Sequence, residues 1–95
     1  MREDYTFNVG DAVTSFRGHD RNKVLIITSV NEDEVTVADG DTRPVAKAKR
    51  KNIKHVKFVT KSDLQGAILD GSVTDSMLRK EIKRIKEDTE IKKHY

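Results

Sequence analysis

Residues 24–38 read VLIITSV-NEDE-VTVA, and this stretch decides the fold. Val24 to Val30 is rich in β-branched side chains and too short to favour a helix, so it reads as a strand. The polar quartet Asn31 to Glu34 makes a turn, and Val35 to Ala38 returns as a second strand, giving a hairpin. Working outward, Val13 and Phe16 lie in a short strand after Gly10 and Asp11. Asp39-Gly40-Asp41 breaks the return strand, and Pro44 blocks any helix at that point. Ile53, Val56 and Phe58 predict a last short strand around NIKHVKF. Four or five short strands joined by tight turns in roughly 60 residues predict a small closed or partly open barrel.

From residue 62 the pattern becomes helical. Ser62 and Gln65 have capping-box spacing, which predicts a short helix starting there. Leu64, Ala67 and Ile68 give it an apolar stripe, and Gly71 is its expected stop. Thr74 or Asp75 can cap a second helix, in which Leu78, Ile82 and Ile85 share one face that must dock on something. The tail after Glu90 is expected to fray. The fold class is therefore mainly β with a helical tail. Residues 1–61 are expected to form the barrel, and residues 62–95 two short helices packing on it or on a partner.

Ninety-five residues is the length of one domain. With 37% charged and 35% hydrophobic residues, and the apolar ones grouped in periodic runs, the chain reads as globular with a charged surface. The absence of cysteine excludes disulfides and thiolate metal sites. The segment MREDYTFNVG has mixed charge and no apolar run, so neither a signal peptide nor a membrane anchor is expected. The expected compartment is the cytoplasm.

Charge is strongly segregated. Residues 1–42 carry a net −5 and residues 62–95 a net 0. Residues 43–61 carry eight basic side chains and no acid. Such a run creates a local positive field whose natural complement is a polyphosphate backbone. The rival is a solvated basic face that serves only solubility. A membrane surface fits less well, since the run lacks an amphipathic helical pattern with bulky anchors.

From Val9 the chain runs VGDAVTSFRGHDRNK into the β-branched strand. The G-D-x-V spacing, followed by Gly18, a basic loop and an apolar strand, resembles the KOW motif of ribosomal proteins and NusG-type transcription factors. Gly18 stands where a tight turn calls for positive φ or a close backbone approach. Asn22 stands where KOW loops often place a second glycine. The stretch ADGDTRPVAKAKRKNIKHVKF, residues 38–58, resembles the segment after the KOW hairpin in the archaeal and eukaryotic large-subunit ribosomal protein "fourteen-e" and its short bacterial relatives. The resemblance implies an SH3-like barrel that binds RNA, with ribosomal RNA or the large ribosomal subunit as the expected partner.

No catalytic pairing, P-loop or dinucleotide fingerprint is present, so an enzyme is not expected. Asp39 and Asp41 are best read as a turn whose carboxylates bond their own backbone. His19, His55 and His94 are scattered, which disfavours zinc. No cofactor and no small-molecule substrate are expected, and the protein is expected to be a monomer. Of the five aromatic residues, Phe16 and Phe58 are assigned to the core, leaving no base-stacking platform. RNA affinity is then expected from Arg17, Arg21, Lys23, Arg43, Lys47, Lys49, Arg50, Lys51, Lys54 and Lys57 on phosphates. The runner-up is a protein-interaction module of the NusG KOW type, binding a ribosomal or transcription partner. A helix-turn-helix DNA reader comes third, weakened by the neutral charge of residues 62–95.

Overall fold

The structure, a computed structural model, describes residues 6–15 and 23–93, with side chains through Asp88. Its five strands are β1 (Asp11–Ser15), β2 (Val24–Val30), β3 (Glu34–Ala38), β4 (Lys49–Asn52) and β5 (Val56–Lys61). They form one antiparallel sheet in the order β4-β3-β2-β1-β5, so the last strand returns beside the first. The β2–β3 hairpin forms as its sequence predicts, with Asn31 N–H donating to the Glu34 carbonyl at 2.8 Å.

The expected single strand around NIKHVKF is instead two strands and a break. A 3-10 turn over Ile53–His55 separates β4 from β5. The Asn52 side chain accepts the Lys54 N–H at 2.9 Å, and the Ile53 N–H donates to the Asp33 carbonyl at 2.9 Å. An asparagine that offers a nearby N–H a local acceptor competes with the strand ladder, and here it prevails. Pro44 does not exclude helical geometry either. Its φ of −65° stands at the N-cap of a 3-10 turn over Val45–Lys47.

Both faces of the sheet are buried. On one, Val13, Leu25, Ile27, Val35, Val37 and Val56 form a cluster joined by Phe7 and Ile53. On the other, Ala12, Ile26 and Ala38 meet Leu64, Leu78, Ile82 and Ile85 from the helical half. Burial on two sides explains why Val24 to Ile27 is an unbroken apolar run rather than an alternating one. Ile26 is in register with both Ala12 and Ala38, and those two small side chains leave space for the helix above it.

Helix α1 (Gln65–Leu69) does not use the expected capping box. Ser62 Oγ donates to the Gly10 carbonyl, and Gln65 Nε2 donates to the Val9 carbonyl at 3.0 Å. Both side chains therefore tie α1 to the turn before β1, and Leu64 occupies the N-cap without a side-chain bond. Gly71, at φ +82°, ends the helix as its sequence predicts. The Ser72 N–H reaches the Ala67 carbonyl and the Gly71 N–H the Ile68 carbonyl, which closes the orphan carbonyls of α1.

Helix α2 (Asp75–Lys93) is not short: it runs nineteen residues and passes Glu90, where fraying was expected. Thr74 Oγ1 accepts the Met77 N–H at 3.2 Å and caps it. Leu78, Ile82 and Ile85 are buried on the sheet, so the apolar stripe docks within the chain itself. Three polar ties hold α2 in place. Arg79 donates to the Gly40 carbonyl, the Val45 N–H donates to Asp75 Oδ1, and the Asp63 N–H donates to Glu81 Oε2. Glu81 also takes two bonds from Arg84, which hold its carboxyl below the usual carboxylate range against the opposing effect of burial. Among the described residues, no helix is long and apolar enough to cross a membrane.

Candidate nucleic-acid interface

The acid-free segment 43–61 begins in the β3–β4 connection, passes through β4 and the second 3-10 turn, and ends with β5. β4 and β5 are the two end strands of the sheet. Lys47, Lys49, Arg50, Lys54 and Lys57 are exposed along this path, while Arg43 and Lys51 are half-buried. Lys61, exposed at the end of β5, belongs with them, although the sequence reading left it out of the site.

Strand alternation distributes these cations over both faces. Lys49 lies opposite Val37 and Lys51 opposite Val35, on the face lined by those valines. Arg50 lies opposite Thr36, on the other face. There Thr36 Oγ1 sits 2.6 Å from Thr28 Oγ1 and 2.7 Å from Ser29 Oγ, so three hydroxyls meet beside Arg50. Lys57 lies opposite Thr14 on β1. At an end strand this alternation does not isolate the charges, because a ligand running along the rim meets side chains from both faces. Lysine at a sheet end also discourages pairing with a second sheet, and that is the bland explanation for the same residues.

Lys23 stands apart from this group. Its Nζ donates to Thr42 Oγ1 at 3.1 Å, in a cleft lined also by Asp39, Asp41, Arg79, Lys83 and Lys86. The three α2 cations of this cleft were not among the sequence candidates, although their spacing of four and three residues places them on one helical stripe. Asp39 is the turn-forming carboxylate its context predicts. Its Oδ1 accepts the N–H groups of Asp41 and Arg43, both at 2.8 Å, and its Oδ2 accepts the Thr42 hydroxyl. Arg17 and Arg21, together with Phe16, Gly18, His19 and Asn22 of the proposed KOW loop, lie outside the described residues.

The assignment of Phe58 to the core is overturned: its side chain is 39% exposed. It lies opposite the wholly buried Val13, but β5 has no strand beyond it among the described residues to cover the ring. Hydrophobic periodicity distinguishes the two faces of a strand and carries no information on whether that strand is central or terminal.

No protein-family model matches the chain, and no curated protein matches it significantly.

Proposed function

We propose that the protein binds structured RNA through the cations of residues 43–61, reading its shape and phosphate backbone rather than its base sequence. One observation carries this reading. An acid-free run follows the two end strands of the sheet and their connecting turns, and six of its eight cations face solvent. A repeated phosphate charge is the natural complement of such a run. Two features support an SH3-like barrel of the KOW type: β5 returns to β1 after a 3-10 turn, and among the described residues none from α1 or α2 joins the buried valine-lined cluster. On this reading the partner is ribosomal RNA or the large ribosomal subunit, the compartment is the cytoplasm, and the protein is a non-enzymatic monomer.

The test is affinity for purified ribosomal RNA as a function of salt. Neutralising about five phosphates gives a slope of log K against log salt of roughly −3 to −5. Reversing the exposed Lys49, Arg50 and Lys57 to Glu abolishes binding and leaves the fold intact. In a sucrose gradient of cell lysate, the wild type travels with the large subunit at low salt and leaves it at high salt. A folded wild-type protein that stays at the top at low salt and ignores purified ribosomal RNA overturns the reading.

The second reading, a protein-interaction module, is favoured by the same sheet ends. Among the described residues, β4 and β5 each have one neighbouring strand, and the end of a sheet is where an extended partner segment adds by strand pairing. A partner protein that co-purifies after nuclease treatment and high salt would place this reading first.

A further inference from the structure

We infer that the cleft between α2 and the Asp39–Thr42 turn binds phosphates of the RNA backbone, so that the RNA track runs past the sheet onto the helix. This rests on the RNA reading above and extends it to residues 62–95, whose charges sum to zero. The cleft has a volume of about 290 Å³, and Lys23, Arg79, Lys83 and Lys86 line it together with Asp39 and Asp41. Four cations against two carboxylates leave it net positive. Asp39 is already committed, since both of its oxygens accept bonds from its own turn. Arg79 is fixed by the Gly40 carbonyl at 2.6 Å and Lys23 by the Thr42 hydroxyl at 3.1 Å, and each keeps further N–H donors. Lys83 and Lys86 are exposed, and Lys83 is ion-paired with no described acid, Glu87 one turn on included. The α2 acids Glu81 and Asp88 lie instead against Arg84, and none of these three lines the cleft. Helix α2 is therefore neutral only as a sum, with its uncompensated cations gathered on the cleft side. The opposite wall leads into Arg43, the first cation of the acid-free run, whose N–H and carbonyl both bond Asp39. Cleft and run thus share a border. A concave positive site with low-dielectric walls focuses its field on an anion, and a repeated phosphate charge is its complement. The competing explanation is a solvated charged face that serves only solubility.

The probe is purified ribosomal RNA, titrated at several salt concentrations with the wild type and three single variants of exposed residues. Lys83→Gln should weaken binding about five- to tenfold at about 0.1 M salt and make the salt slope about one unit shallower. Lys80→Gln removes the same charge from the same helix outside the cleft, and should leave affinity and slope as in the wild type. Asp41→Asn removes the cleft's other carboxylate and should tighten binding about twofold, the effect of a like charge roughly 10 Å from a phosphate in water. Wild-type affinity and slope in K83Q, or an equal loss in K80Q, overturns the cleft as an RNA site while leaving the RNA reading in place. If K83Q binds RNA as the wild type does and inorganic phosphate shifts the Lys83 amide NMR signal, the cleft takes a free anion instead. Failure of the wild type to bind the RNA overturns both readings. Circular dichroism checks the fold of each variant, and if K83Q does not fold, tighter or unchanged binding by D41N decides.

Discussion

Arg79 Nη1 donates to the carbonyl oxygen of Gly40 at 2.6 Å, joining the first turns of α2 to the turn that follows β3. Gly40 holds φ +80°, and a Cβ built there would run into the carbonyl oxygen of Asp75. The Asp39-Gly40-Asp41 turn is therefore both the end of a strand and the seat of a helix. Gly40→Ala should lower stability by about 1–3 kcal/mol, since left-handed strain and the collision act together. Urea denaturation measures it, and an unchanged midpoint would mean that α2 tolerates being pushed off the turn.

Leu78 is wholly buried between α2 and the Ala12–Ile26–Ala38 face. Leu78→Ala should cost about 2–5 kcal/mol through lost burial and the cavity left behind. Deleting residues 74–95 should be worse, because it uncovers that whole face. The truncated chain is expected to be unstable or insoluble, as solubility and thermal melting will report.

Glu81 predicts a pH dependence. Its carboxyl is held below the ordinary range chiefly by Arg84, so the unfolded chain binds this proton more readily than the folded one. The associated stability is present above the unfolded value, about 4.3, and is lost as the pH falls through the lower folded value. Arg84 is half exposed, so the effect should not exceed about 1 kcal/mol. Glu81→Gln should be slightly less stable than wild type at pH 7, with the difference shrinking towards pH 3. A gap that instead widens on acidification would contradict this account of the pair.

The three consecutive cations of β4 should not behave alike. Lys49 and Arg50 are exposed, whereas Lys51 is half-buried opposite the wholly buried Val35. Reversal to Glu at Lys49 or Arg50 should change stability by no more than about 0.5 kcal/mol. The same change at Lys51 should cost about 1 kcal/mol or more, because it places a carboxylate beside apolar neighbours. Equal denaturation midpoints for the three variants would refute the distinction, and this difference is why Lys51 is left out of the charge-reversal test of RNA binding.

What the amino-acid sequence determined by itself was local. The β-branched run Val24 to Val30, the polar turn and the return strand formed as read, because side-chain branching and turn chemistry act within a few residues. Gly71 and Thr74 ended and capped their helices for the same reason, and the acid-free segment was visible from composition. The tertiary structure decided which groups satisfy one another across the chain. Ser62 and Gln65 have the spacing to cap a helix, yet both bond the Val9–Gly10 turn more than fifty residues away. Ile53 leaves the expected strand to bond Asp33, which splits one strand into two. Because those two became the ends of the sheet, Phe58 is 39% exposed and the cations follow the rims. A hydrophobic pattern encodes which face of a strand is apolar, whereas its neighbours in the sheet, and hence the exposure of that face, follow from long-range pairing.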